Sequence, residues 1–589
     1  MNQHLLDVSC GKCYADLVVI NGQIVNVFTG EIYSGGIAVS GEYIAAVGNI
    51  DYCIGPDTEI IDAQNNYLTP GFVDGHIHPE SSNLSIRNFA SAIQSHGTST
   101  IMTDFHEIGV VSGLEGIKAI LKEAEETSLN IYFIVPSHIP CAPSLETSAF
   151  HFNPETISQG LEDSQAAGIS EISGFSIISR DGELLQAMDI CADKKLSLQG
   201  HLAGISGTNL TTCIASGVAA DHEAVSESEA LERLRSGCHL MMREGSVAGN
   251  LRDCLKPIKK NHLDTSNTSI VTDDLHVCDA VSKGHLDSSI RIALAEGIDF
   301  VTAIQMVTIN PSRMFHVEHQ IGILAPGRRA DINITSGPED FRILSVISAG
   351  KLWMENNRIL THYSPAAHDS ILLNTMHMKR PVTPEDFHIH VSEDIKRVQV
   401  IAMKTESCAL ITSPVKAWLN VKNGIVQCDI QQDILYIAQV ERHGKNGQIG
   451  KAFMSGFQLK SGAIACSIGH DNHNVIVLGT NFEDMSLAVN RLNEIQGGQI
   501  VVNEGKILSE ISYPVCGLLS DLPAEELAAE KEKANLAIQN MSGETTITVP
   551  FMVLSFVCLS VIPEYAVTDH GFIDVLQEKV IDPIIAFEK

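Results

Sequence analysis

The chain has 589 residues, 44% hydrophobic and only 19% charged, which excludes a disordered chain and leaves ample material for buried cores. Its 71 acidic and 39 basic side chains give a formal charge of −32, which argues against nucleic acid as a general partner, because phosphate binding needs clustered Lys and Arg. The 24 histidines are the one compositional pointer to metal or acid–base chemistry. Fourteen cysteines are scattered along a chain too long to need a disulfide framework. Cys10 and Cys13 have zinc-ribbon spacing, but no second C-x-x-C answers them. The N-terminal residues lack the basic and apolar regions of a signal peptide. The most apolar stretch, Phe551 to Ile562, is too short for a bilayer core of about 30 Å. The expectation is a soluble cytoplasmic protein with no membrane partner.

From Ala15 to Ile61, short β-runs alternate with turn residues (ADLVVINGQIVNV, GGIAVSGEYIAAVG, TEIIDA), which predicts a small antiparallel β-domain. The same texture returns after Gly322, so residues 1–66 and 320–365 are expected to form one composite domain. Between them, GTSTIMTDF, LNIYFIVP, GISEISGF, KLSLQGH, GVAADHE, CHLMMREG and TSIVTDD read as strands. LEGIKAILKEAEE, ELLQAMDICADK, SESEALERLRSG and SSIRIALAEG read as intervening helices. Strand-then-helix repeated over 67–319 predicts a (β/α)8 barrel with its active site at the strand ends, hence an α/β fold overall. A His-, Pro- and Ser-rich linker, Thr361 to Pro384, leads into a third region, 380–589, where strands and helices again alternate in an α/β-type domain.

The densest local signal is Pro70-Gly71-Phe72-Val73-Asp74-Gly75-His76-Ile77-His78. On a strand, residues two apart share a face, so His76 and His78 would converge on one point. An isolated H-x-H is ordinarily a turn with two solvated histidines. Here Glu171, His201, His222 and Asp273 follow at later strand ends, and six such residues are what a two-metal site in a barrel mouth requires. Two neighbouring cations need a shared anion, for which Glu171 is the best-placed carboxylate.

These segments resemble the amidohydrolase superfamily and, within it, the bacterial adenine deaminases. PGFVDGHIHPESS, GTSTIMTDFHEIG, GISE, QGHLAGISGTNL, GVAADHEAVSESEAL, REGSVAGNL and VTDD are similar to that family's successive motifs. So are GHLDSSIR, MVTINPSRMF, IGILAPGRRADI and, near the C-terminus, GFQLKSGAIACSIGHDNHN, GLLSD and PFMVLSFVCLSVIPE. The likeness covers nearly the whole chain. Three features depart from it: Phe105 stands where Pro is usual, Pro79 where an aliphatic residue is usual, and Ile172-Ser173-Gly174 is atypical. None removes a proposed ligand.

The resemblance implies hydrolysis of adenine, a small-molecule substrate, to hypoxanthine and ammonia by a metal-bound hydroxide. It places His76 and His78 on one metal, His201 and His222 on the other, Glu171 between them, and Asp273 on the first metal as the proton carrier. Glu171 and Asp273 are thus the catalytic carboxylates. An all-N/O donor set admits Mn, Fe(II) or Zn, and the family favours two Mn(2+) or Fe(2+) ions.

Glu80, His106 and Glu107 follow strand ends and are expected to face the purine, a further metal or the ligands themselves. Arg243 and Glu244 are explained equally by a mutual ion pair. His276 and His285 are expected purine contacts, with a helix-start or surface role as the alternative. His470 and His473, in SIGHDNHN, point to a loop over the barrel mouth rather than a plain turn. Competing readings are an amidohydrolase acting on another aminopurine or cyclic amide, and a non-catalytic barrel scaffold. A homo-oligomer is expected from the low charge density.

Overall fold

The computed structural model describes residues 2–137, 139–405, 411–562 and 564–589. Eight parallel strands form its centre: β1 (Phe72–Asp74), β2 (Thr98–Thr103), β3 (Asn130–Pro136), β4 (Ala166–Ser173), β5 (Ser197–His201), β6 (Ala220–Asp221), β7 (His239–Arg243) and β8 (Thr268–Val271). They neighbour one another in chain order, as a (β/α)8 barrel requires. Runs such as Asn130–Pro136 are almost wholly apolar because both faces are covered, by helices outside and by the barrel interior within. Val73, Met102, Ile134, Ala167, Ala220, Met241 and Val271 form a core of their own, one contribution from almost every strand.

Closure is made at the C-terminal ends. The chain after β1 continues as Ile77–His78 and that after β8 as Asp273–Asp274, and these two short strands pair in parallel, Asp273 opposite Ile77. The expected single strand TSIVTDD is therefore two, broken where Asp273 takes a left-handed backbone conformation (φ 58°). Helix starts follow local chemistry. Asp181 caps Gly182–Asp193 by accepting from Glu183 N and Leu184 N, and Ser226 caps Glu227–Arg235 by accepting from Glu229 N.

A nine-stranded sheet takes strands from both sides of the barrel: Leu17–Asn26, Glu31–Ser40, Tyr43–Gly48, Glu59–Asp62 and Tyr67–Pro70 from before it, Ile332–Thr335 through Arg358–Ile359 from after it. The expectation of a purely antiparallel sheet is corrected: Leu17–Asn26 runs parallel to both Glu59–Asp62 and Tyr67–Pro70. Gly97 ties this sheet to the barrel. Its φ of 81° and a neighbour, Asn333 Nδ2, that would lie 2.6 Å from any Cβ leave room only for glycine.

The C-terminal region is built on a ten-stranded sheet with the helix Phe482–Glu494 packed against it. It is not a loosely tethered unit. One hydrophobic cluster holds Phe105 and Ile108 from the barrel together with Leu435, Leu518 and Phe551. Hydrogen bonds cross the seam at Ser520 N to Asn83 O (2.7 Å) and Ser85 N to Ser520 O (2.9 Å). Among the described residues no helix is long and apolar enough to cross a membrane. The apolar stretch from Phe551 begins in a short helix, Pro550–Phe556, mostly buried at the seam.

Candidate metal centre

The strand ends bring His76, His78, Glu171, His201, His222 and Asp273 together. Glu171 Oε1 lies 3.3 Å from His76 Nε2, 3.6 Å from His222 Nε2 and 3.9 Å from His78 Nε2, while Oε2 lies 2.7 Å from His201 Nδ1. One carboxylate therefore faces all four imidazoles. Asp273 Oδ1 lies 3.4 Å from His76 Nε2 and 3.6 Å from His78 Nε2. The His76 and His222 rings stack at 4.0 Å.

Local backbone irregularity aims these side chains. The β4–β5 register shifts between Ile169 and Ile172, and Glu171 at that bulge has φ 54°. Asp273 has φ 58° at the break after β8. A non-glycine residue in this region costs about 1–3 kcal/mol, and such strain gathers where geometry serves a site.

Two residues of this centre were not singled out from sequence. Glu223 Oε1 lies 3.3 Å from His222 Nε2 and 3.6 Å from His201 Nδ1. Asp104 Oδ1 lies 3.2 Å from His78 Nδ1, and its Oδ2 accepts from Ser170 Oγ (2.6 Å). The available signal was position, since each is an acid at a strand end and Glu223 directly follows His222. Of the two readings of Arg243 and Glu244, the mutual ion pair does not form. Arg243 instead binds Glu223 through both guanidinium nitrogens (2.5 and 3.2 Å) and reaches Asp273 Oδ2 at 3.1 Å, because the end of β7 turns its side chain inward.

The electrostatics follow from this crowding. Burial alone would lower the His201 pKa, but Glu171 and Glu223 outweigh it and push it up to about 10. Burial would raise Glu223, yet His201 and Arg243 hold it at about 2. Asp273 is held well below the usual carboxylate range, burial being overcome by His76 and Arg243. His76 Nε2, Glu171 Oε1 and His201 Nδ1 are buried and make no hydrogen bond among the described residues. Buried polar atoms ordinarily find partners. Buried nitrogen and oxygen atoms that converge without a hydrogen bond fit divalent cations, and three donor groups are close enough to hold one: His76/His78/Asp273, His76/Glu171/His222 and His201/His222/Glu223.

Beside this centre lies a pocket lined by Glu80, Glu107, His276, His470, His473 and Phe556, among others. Glu80 is 3% exposed; burial and then Glu107 push its pKa up to about 8. His276 caps the helix Val277–Ser282 and still lines the pocket. His106 is buried with neither ring nitrogen hydrogen-bonded among the described residues. His285 is not brought to the pocket. It is pinned inside the barrel wall, 2.8 Å from Thr98 Oγ1 and 3.4 Å from Asp74 Oδ2. Its place after β8 thus serves the packing of β1, β2 and β8 and does not give a purine contact.

Comparison with known proteins agrees with this architecture. Residues 67–353 match the family model described as "Amidohydrolase family", and 409–579 match "Adenine deaminase C-terminal domain". A relative from Moorella thermoacetica named adenine deaminase is 36% identical over 99% of this chain and 98% of its own. The chain belongs to the adenine deaminase family. A member from Clostridium botulinum is 36% identical over 98% of this chain and 96% of its own, and one from Latilactobacillus sakei 34% identical over 100% and 98%. A crystal structure titled as an adenine deaminase aligns with 58% of this chain and 99% of its own at 17% identity and a TM-score of 0.44. The amidohydrolase family is metal-dependent, and the clusters above are this family member's metal-competent groups.

Proposed function

We propose that the protein hydrolyses adenine to hypoxanthine and ammonia at the barrel mouth. The observation that carries this reading is Glu171, whose two oxygens face His76, His78 and His222 on one side and His201 on the other. It is supported by relatives named adenine deaminase over essentially the full chain. His76, His78 and Asp273 would hold one divalent cation, His201 and His222 a second, with Glu171 between them. Bound there, the cations supply Lewis-acid activation of water and stabilise charge on the purine. The N/O donors suit Mn(2+), Fe(2+) or Zn(2+), and the family resemblance favours the first two.

The chain's own groups account for orientation and proton traffic. Asp273 stays ionised beside Arg243, so it can take a proton from the attacking water and deliver it to the departing amino nitrogen. The C6–O bond forms, the C6–N bond breaks, and the amine leaves as ammonia. Arg243 and Glu223 hold Asp273 and the two histidines His201 and His222 in place. Glu80 and His276 line the pocket where the purine ring would sit. A scaffold role would leave the convergence of all six donors unexplained. Exposed Val580, Ile585 and Phe587 near the C-terminus support a homo-oligomer.

The test is ammonia release from adenine, guanine, cytosine and hydantoin by Mn-loaded protein. Adenine should be turned over with a kcat/KM at least about tenfold above the others. Turnover of another compound without adenine would replace this reading with a different amidohydrolase activity.

A further inference from the structure

The loop 469–474 of the C-terminal region descends onto the first turn of the helix His106–Ala124, which follows β2. There the Glu107 carboxylate is shared by two imidazoles. Oε1 lies 3.4 Å from His470 Nδ1, and Oε2 contacts His473 Nε2. All three residues are more than nine-tenths buried: Glu107 is 5%, His470 8% and His473 0% exposed. Their donor atoms all lie within 4.8 Å of one another. None of the three belongs to the cluster around Glu171.

The loop is built to hold this arrangement. The buried Arg442 donates through Nε to the His473 carbonyl oxygen and through its backbone N to Asn474 Oδ1 (3.0 Å). Gln439 donates to Asn472 Oδ1 (2.9 Å), and Asn474 Nδ2 reaches across to Thr147 O on the barrel side (2.8 Å). The His470 ring stacks flat on Phe556 at 4.4 Å, which sets its plane. His473 itself has φ 52°, a left-handed conformation that the surrounding hydrogen bonds hold in place. A second observation points to a ligand. Glu80 lines the same pocket with Oε2 buried and without a hydrogen-bond partner among the described residues.

We propose that Glu107, His470 and His473 form an additional metal site for a divalent transition cation, spanning the seam between the barrel and the C-terminal region. Two imidazoles and one carboxylate are the donor set of open, three-ligand zinc-type sites, which keep a coordination position for water or another ligand. That position faces the pocket that the three residues line. Because Glu107 comes from the barrel and both histidines from the C-terminal region, a cation here also ties the two parts together over the barrel mouth. The competing assignment is a buried carboxylate–imidazole ion pair that takes no metal.

Metal equivalents per chain, measured by plasma mass spectrometry on metal-reconstituted and desalted full-length protein, separate the two. The double variant His470→Asn/His473→Gln should hold one equivalent fewer than the parent. The near-isosteric Glu107→Gln should show the same loss, and provides the reading if the double variant does not fold by circular dichroism. Cobalt-reconstituted parent should carry visible absorption that both variants reduce by the share of one ion. Equal equivalents and equal cobalt spectra in parent and variants would overturn the proposal. The difference is read however many ions the Glu171 cluster holds, and deamination is not the readout. Failure of the proposed activity and failure of this site are therefore distinguishable.

Discussion

The barrel mouth and the seam above it gather the same donor types by opposite routes. At the mouth, donors come from successive strand ends of one barrel, so parallel strand order alone makes them converge. At the seam, Glu107 and His473 are 366 residues apart and meet only because the C-terminal sheet packs against the barrel helices. The mouth is thus assembled by one fold, whereas the seam depends on two parts docking correctly.

That contrast predicts where damage is largest. Asp273→Asn keeps the shape of the mouth but removes its proton carrier, so kcat for ammonia release should fall about 10²–10⁴-fold. Loss of less than tenfold would show that the proton travels another way. The buried pair Arg233–Asp221 (2.8 Å, both side chains fully buried) anchors the end of β6 beside His222, and Asp221 also accepts from Leu202 N just after His201. Arg233→Met leaves Asp221 uncompensated and should cost about 3–5 kcal/mol in urea denaturation. A loss under 1 kcal/mol would mean that the mouth does not rely on this anchor. Arg243→Met leaves Glu223 and Asp273 to repel each other, and a fall in kcat of about 10–100-fold is expected.

The smallest expected effect is a pH response in the barrel wall. Burial pushes His239 down to about 4, and its ring contacts only Ser269 Oγ (3.1 Å) among the hydrogen bonds described. The folded state holds the neutral imidazole, while the unfolded chain takes up a proton below about pH 6.5. Stability is therefore fully present above that pH and falls as the pH drops towards about 4. Between pH 7.5 and 5.5 the loss should be about 1 kcal/mol. His239→Gln should flatten this part of the stability profile, and an unchanged slope would remove His239 as its source.

The same contrast governs what was legible in the sequence. His76, His78, Glu171, His201, His222 and Asp273 could be read because each closes an apolar strand run, and strand ends of one barrel share a destination. Glu223 and Asp104 carry no local mark, because an acid just past a short apolar strand resembles an ordinary solvated residue. Arg243 was visible but not its partner, since only the barrel's curvature turns it towards Glu223. His285 misled because it follows β8 closely, yet its ring turns into the wall rather than the pocket. The loop holding His470 and His473 was recognisable as unusual, but its docking on Glu107 is a tertiary event that no local pattern encodes.

The account stands or falls on Glu171, the carboxylate that faces all four histidines of the mouth. Hypoxanthine formation and metal content should be measured together in Glu171→Gln and in the parent, both reconstituted with manganese. The variant should lose metal from the mouth and at least about 10³-fold of its activity, while circular dichroism shows an intact fold. Retention of parental metal content with parental hypoxanthine formation would contradict it.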